Sequence, residues 1–216
     1  MDTQTADAQA QGAALALQNE ALKADPDTLR LLFTEARTHY GWQDREVTDQ
    51  TLAELYAIAK MGPTSMNQQP MRVLFIRTAD AKDRLEPCLM PANRPKMRSA
   101  PITAIVAYDL NFWEELPHLF PPNPDAQDIF KDNATAAQIN GFRNGTLQGA
   151  YLMLAARAVG LDVGAMSGFD NSKVDEEFFH GTSIKSNFLI NIGYADTSKI
   201  FRRLPRLDYD KVCQTI

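Results

Sequence analysis

The chain has 216 residues and a formal net charge of −5, and its two cysteines, Cys88 and Cys213, belong to no metal-binding or redox motif. That length is enough for one large domain with a real core. The acidic balance argues against a general nucleic-acid binder, which needs a basic field to neutralise phosphates.

Two unpaired thiols fit a reducing cytoplasm, and nothing in the sequence supports pairing them. The opening "MDTQTADAQA" carries acid where a signal peptide carries base. No stretch approaches the roughly 20 apolar residues of a membrane span. Residues 1–25 are rich in Ala and Gln. "AALALQNEALKA" has helical propensity, but its apolar positions are mostly alanine, so the segment reads as a mobile extension or as a helix docking on a partner subunit.

A single domain of mixed α and β elements is expected over residues 26–216. Asp27 is placed to cap a helix with Leu29, Leu32, Phe33 and Ala36 on one face. Thr48 is placed to cap a second, with Leu52, Leu55, Tyr56 and Ala59 at helical spacing and Gly62-Pro63 ending it. The neutral loop "GPTSMNQQP" follows, then a strand over 73–77 and a short helix around 80–90. "ITAIVAY" is a continuous apolar run that reads as a central strand. Residues 111–134 hold four prolines, which argue against regular elements. Phe112, Trp113, Phe120 and Phe130 argue for an ordered excursion or lid rather than disorder. A long helix is expected over 141–159, with Leu147, Tyr151, Leu154 and Ala158 along one stripe and Gly160 after it. "LDVGAMSGFD" reads as a strand or loop entering a turn. Asn171 opens a short helix to Phe179, and "SNFLINIGYA" is another core strand.

The sequence has no HExxH, CxxC, GxSxG or P-loop motif, and glycines 160, 164 and 168 do not form the dinucleotide fingerprint. His39, His118 and His180 are scattered, as surface or satisfied histidines usually are, so no metal site is expected. Glu114 and Glu115 read as a solvated turn.

The block "PTSMNQQPMRVLFI" resembles the Pro-Ser-Ser-x-Asn-x-Gln-Pro-Trp segment of the FMN-dependent nitroreductase family. Pro63, Ser65, Asn67, Gln69 and Pro70 match, Thr64 replaces a serine, and Met71 replaces the tryptophan. The likeness covers most of residues 27–210. It is similar above all to the subgroup containing malonic semialdehyde reductase of bacterial pyrimidine breakdown, through "ARTHYGW", "GPTSMN", "MSGFD", "KSNFLINIGY" and "RLPRL".

The resemblance implies an α+β fold: a mixed, mainly antiparallel sheet flanked by helices, in an intertwined homodimer with FMN sites at the subunit interface. It implies FMN as cofactor and NADH or NADPH as hydride donor. Arg37 and Thr38 match a basic-hydroxyl motif that holds the FMN phosphate, although Ala36 and Tyr40 stand where relatives often carry cations. Arg203 and Arg206 match basic phosphate contacts near the carboxy terminus. Thr64, Ser65, Asn67 and Gln69 would meet the ring or ribityl chain from the neighbouring subunit. Asn93 and Lys96 would meet the pyrimidine edge, where a lysine stabilises the charge that reduction adds. Ser167 and Gly168 would present backbone N–H groups to flavin N5. The implied reaction is ping-pong hydride transfer, with malonic semialdehyde reduced to 3-hydroxypropionate. Arg72, Arg94 and Arg143 are candidate cations for an acidic substrate. A broad nitro- or quinone reductase on the same scaffold and a non-catalytic flavin-binding protein stand as the alternatives.

Overall fold

A computed structural model describes residues 3–20 and 23–216. Two compact units are present, one up to Ala36 and one from Arg37 to Ile216.

In the first unit, helix α1 spans Thr3–Glu20. The "AALALQNEALKA" segment lies on it as far as Glu20, while residues 21–22 fall outside the described residues. Helix α2, Pro26–Leu29, continues into a π-helical turn, Arg30–Thr34. Its cap is Asp25, not Asp27: the Asp25 carboxylate accepts from the Asp27 and Thr28 N–H groups, and Pro26 takes the first helical position, where its missing N–H costs nothing. The apolar side chains Leu29, Leu31 and Phe33 are exposed.

In the second unit, four strands form one sheet in the order β1-β2-β4-β3. They are β1 (Met71–Ile76), β2 (Ile102–Asp109), β3 (Asp162–Met166) and β4 (Ile184–Gly193). All three pairings are antiparallel, and the parallel character is confined to one isolated bridge, Thr38 to Val163. The expected strand 73–77 therefore starts two residues earlier. "ITAIVAY" is central, paired on both sides and buried throughout, because no residue in it needs water. A register shift at Val106/Ala107 leaves Asn187 unpaired opposite them. Across β2 and β4 the Thr103 hydroxyl meets the Asn191 amide oxygen at 2.7 Å, satisfying two buried polar groups inside the sheet.

Helices cover both faces. On one lie α3 (Asp49–Ala59) and α8 (Ala134–Ala158), which pack Leu52, Leu55, Leu152 and Ala156 against Ala104, Val106, Ile190 and Ile192. Thr48 caps α3 as expected, accepting from the Thr51 N–H, although Tyr56 faces out. On the other face α4 (Ala79–Leu85), α5 (Arg94–Ser99) and α9 (Asn171–Phe179) bring Leu85, Met97, Val174 and Phe179 onto Ile105, Ala107 and Leu189. Each such buried Leu or Ile contributes about 1.5–3 kcal/mol relative to exposure.

Two expectations need correction. Prolines do not keep residues 111–134 irregular: short 3₁₀ turns, α6 (Leu116–Leu119) and α7 (Asp128–Lys131) fill the segment. Pro117 and Pro124 occupy first-turn positions that tolerate proline, and Phe112, Leu116, Ala126 and Phe130 make a small core of their own. Glu114, Glu115 and His118 are exposed.

Helix α8 starts seven residues before the expected 141 and buries the opposite stripe. Gly141, Asn144, Gly145, Gln148, Gly149, Leu152 and Ala156 face inward, while Leu147 and Ala158 face out. Small residues win the buried face because they let the helix backbone close on the sheet; a Cβ at Gly149 would lie 2.5 Å from the Phe188 ring. Helix α10 (Tyr209–Val212) lies in an exposed carboxy-terminal segment. Cys88 and Cys213 are both free thiols. Among the described residues no helix is long and apolar enough to cross a membrane.

Candidate active site

The residues singled out by sequence fall into two groups. The first gathers where β3 ends. Beyond Met166 the chain turns through Ser167 and Gly168, and the Gly168 carbonyl accepts from the Met90 N–H and from Asn93 Nδ2, each at 3.0 Å. Asn93 precedes the first residue of α5 without a side-chain capping bond, and Lys96, one turn on, donates to Asn93 Oδ1 at 3.0 Å. The Lys96 ammonium stands 5.0 Å from the centre of the Tyr40 ring, a cation–π distance. Tyr40 meets Phe201 edge-on at 5.3 Å, and Arg37 donates to the Phe201 carbonyl. Gly168, Asn93, Lys96 and Arg37 thus form one connected chain of contacts.

The turn admits only glycine at 168 without displacement, since a Cβ there would lie 2.5 Å from Asn93 Nδ2 and 3.3 Å from Met90 Sδ. The Asn93 amide is partly used internally, keeping one N–H and one oxygen lone pair for another partner. Thr38, Arg37's neighbour, bridges Val163 beyond the β3 edge, which fixes Arg37 relative to the sheet. Arg203 and Arg206 lie in the exposed carboxy-terminal segment, and Arg206 donates to the Leu204 and Pro205 carbonyls.

The second group is the loop before β1, at the other edge of the sheet and on the α8 side. It holds three non-glycine residues with positive φ: Met66 (49°), Asn67 (52°) and Gln69 (43°). Such backbone is disfavoured by roughly 1–2 kcal/mol per residue, so something must hold it. Thr64 Oγ1 accepts from the Gln69 N–H at 3.3 Å, Gln69 Nε2 donates to Asn67 Oδ1 at 2.9 Å, and Asn67 Nδ2 donates to the Leu119 carbonyl at 2.9 Å. Ser65 is exposed, and its N–H donates to Asn144 Oδ1 at 2.9 Å. Asn144 Nδ2 in turn donates to Gln68 Oε1 at 3.0 Å, and the Met71 N–H donates to Gln148 Oε1 at 2.9 Å. Asn144, Gln148 and Gln68 are all buried.

Sequence reasoning counted Gln68 among the loop's neutral groups but missed Asn144 and Gln148. The available signal was the pair Asn144-Gly145 and Gln148-Gly149, four residues apart, which puts amides and glycines on one helical face. In a single chain the loop group and the Gly168 group are held apart, on opposite edge strands and opposite faces of the sheet.

His39 sits behind Arg37 and Thr38. It is buried, with Nε2 3.4 Å from Asp162 Oδ1. Asp162 is already satisfied by Arg157 and by the Ala195 N–H at 2.9 Å. Burial lowers the His39 pKa; the Asp162 carboxylate pulls the other way, and Arg157 and Arg37 add to the lowering. The folded protein therefore keeps His39 neutral where the unfolded chain, with an ordinary pKa of about 6.5, takes up a proton. This costs nothing at pH above about 7 and lowers stability as pH falls below about 6.5. His39→Gln should lose less stability than the wild type between about pH 6.5 and pH 5, measured by urea unfolding. Equal pH slopes in the two proteins would remove this assignment.

Among the described residues no three His, Cys, Asp or Glu side chains converge to hold a metal ion.

Solved structures share the fold over about nine-tenths of the chain. A protein described as a nitroreductase in complex with FMN, from Exiguobacterium sibiricum, superposes with a TM-score of 0.79 at 20% identity, over 90% of this chain and 99% of its own. One described as an NAD(P)H:FMN oxidoreductase, from Staphylococcus epidermidis, gives 0.77 at 18% identity, over 91% and 99%. CLA-ER, an enone reductase of a gut-bacterial fatty acid saturation metabolism, gives 0.78 at 18% identity, over 90% and 100%. At these identities the likeness speaks for the fold. The sequence itself matches the nitroreductase family over residues 34–194, spanning all four strands and both groups of site residues except the carboxy-terminal arginines. The chain belongs to the nitroreductase family.

Proposed function

We propose that this chain is an FMN-dependent NAD(P)H oxidoreductase that reduces malonic semialdehyde to 3-hydroxypropionate. When bound, FMN would supply the hydride chemistry that links the nicotinamide to the aldehyde carbon in two separate encounters, the product oxygen taking its proton from water. The observation that carries the reading is the pair of half-sites. One edge of the sheet offers an amide–ammonium–glycine cradle, and the other offers a rigid loop of uncharged donors and acceptors, too far round the fold to meet within one chain. A flat ring edged with neutral polar groups needs both, so a second copy would complete each site. Helix α8 supports that arrangement, since Ile139, Phe142 and Leu147 leave its outer face apolar and exposed.

The residues fit the cofactor. The missing Cβ at Gly168 lets the Asn93 amide close on the turn, and the Ser167–Gly168 backbone would offer N–H groups to N5. Lys96 and Asn93 would hold the pyrimidine edge, with the ammonium favouring charge that develops there. Thr64, Ser65, Asn67 and Gln69 would bind ring or ribityl hydroxyls without charge. Arg37, Thr38, Arg203 and Arg206 would take the phosphate, which suits the guanidinium fork.

Among the three candidate cations for a substrate carboxylate, Arg72 is committed to Asp109 at 2.8 Å, and Arg143 lies on the outer face of α8. Arg94, next to Asn93 and anchored by Nε to the Leu89 carbonyl at 3.1 Å, is the best placed.

The test is the visible spectrum of the purified protein with FMN, followed by kcat/KM for malonic semialdehyde and for a nitroaromatic, with NADH and NADPH. A flavin spectrum and preference for the aldehyde are expected. A higher kcat/KM for the nitroaromatic would make the protein a broad nitroreductase, and a colourless preparation that takes up no FMN would end the flavin reading. Arg37→Ala or Arg206→Ala should weaken FMN binding about tenfold, the loss of one charge-assisted contact of about 1.4 kcal/mol. Unchanged FMN affinity in both would remove the phosphate assignment.

A further inference from the structure

We infer that Asn144 and Gln148, buried on the inner face of α8, are positioning residues that hold the 64–70 loop in its ligand-ready shape. The inference rests on the flavin reading above and names what sets the strength of that site. Three left-handed non-glycine residues in one loop are not self-supporting, because each prefers to relax toward ordinary backbone. The hydrogen bonds inside the loop link its own side chains and the Leu119 carbonyl. Besides the Pro70 carbonyl, which accepts from the Asp109 N–H at 2.9 Å, and Met66, which packs on the Phe112 cluster, anchorage to the core comes from α8. The Asn144 amide oxygen takes the Ser65 N–H, its Nδ2 meets Gln68 Oε1, and Gln148 Oε1 takes the Met71 N–H where the loop becomes β1.

Asn144 faces two carbonyl-type acceptors with the same Nδ2: Gln68 Oε1 and the Asn140 carbonyl, both at 3.0 Å. Its orientation is therefore set, with oxygen toward the loop and nitrogen toward the acceptors. Gln68 is buried with its Nε2 unpartnered, so the loop is already carrying an unsatisfied donor and has little stability in reserve. Removing the α8 anchor should let Met66, Asn67 and Gln69 relax out of the left-handed region and move Ser65 and Asn67 away from a bound ring.

Asn144→Asp provides a switchable version of the anchor. Its carboxylate has one oxygen for the Ser65 N–H, but the other faces the Asn140 carbonyl, a fixed acceptor that repels it, and turns the Gln68 amide away from its present orientation. Once protonated, the acid has one acceptor and one O–H donor, which restores the Ser65 contact and one of the two donor contacts. Burial and the facing carbonyl raise the pKa of such an acid, so protonation falls in an accessible pH range.

The experiment titrates FMN into the wild type, Asn144→Ala, Asn144→Asp and Ile102→Ala, a core truncation at the far end of β2, with thermal unfolding measured alongside. Asn144→Ala is expected to raise the FMN Kd at least tenfold. Asn144→Asp is expected to bind weakly at pH 8 and to recover at least fivefold, relative to the wild type at the same pH, by pH 6. Ile102→Ala should lose thermal stability while its Kd stays within twofold. Asn144→Asp with no pH-dependent recovery relative to the wild type overturns the inference, even if Asn144→Ala fails to fold. So does a Kd for Asn144→Ala within twofold of the wild type. If the wild type itself takes up no FMN, the flavin reading falls first, which separates the two failures.

Discussion

Gly168→Ala is expected to weaken FMN binding by about 10- to 100-fold, the equivalent of the roughly 1–3 kcal/mol that overpacking costs. The new methyl group would lie 2.5 Å from Asn93 Nδ2, with Met90 Sδ at 3.3 Å beside it, so the amide is the group that must give way most. Displacing Asn93 breaks its hydrogen bond to the Gly168 carbonyl and loosens Lys96, which is held through Asn93 Oδ1 and the Tyr40 ring. A single methyl group would thereby disturb three proposed cofactor contacts. Fluorescence titration of FMN measures the effect. Combining it with Asn93→Ala should cost little more than either change alone, because both act on one contact network. An unaltered Kd in Gly168→Ala would show that this turn does not face the cofactor.

Gly164→Ala should be the most destabilising small substitution, costing about 3 kcal/mol and lowering the Tm by roughly 6–12 °C. Gly164 is buried in β3, and a Cβ there would collide with the His39 carbonyl oxygen, with the Trp42 ring at 3.5 Å beside it. The obstacle is backbone, so no rotamer change relieves it. Relief requires peeling the 37–43 segment off β3, losing the Thr38–Val163 bridge and the hydrogen bond from the His39 N–H to the Val163 carbonyl at 3.0 Å. Arg37 moves with it, so FMN affinity should fall as well. Calorimetry of the apoprotein measures the stability change, and a Tm within about 2 °C of the wild type would show that the two backbones are not in close contact.

These expectations draw on tertiary contacts, whereas much of the scaffold was already written in local chemistry. Thr48 capping α3, the buried run of β2, and Asn171–Phe179 as a helix follow from capping geometry and from the apolar content of each stretch. The neutral loop before β1 was visible as a cluster of hydroxyl and amide side chains flanked by prolines. The pairing of Asn93 with Lys96 came from the family resemblance, since Asn-x-x-Lys alone reads as a loop turn; the structure puts the two one helical turn apart and in contact.

Other features depended on competition that no short window contains. Asp25 rather than Asp27 caps α2, because Pro26 is better placed at the first helical position than before it. In α8 the large side chains suggested one buried stripe, yet the glycine-rich stripe faces the sheet. Close approach of the helix backbone to β2 and β4 favours small residues there, and that benefit exists only once the sheet is in place. The same burial turns Asn144 and Gln148 from unremarkable amides into anchors for a strained loop. By itself, then, the sequence determined the main helices and strands, the neutral character of the loop and the kinship with a flavoenzyme family. Only the tertiary structure decided which face of α8 is buried, that Gly168, Asn93, Lys96 and Arg37 meet, and that the loop lies apart from them. The reason is physical: caps and strand patterns arise from neighbours in sequence, whereas close packing and hydrogen bonds between distant segments depend on where the sheet brings them.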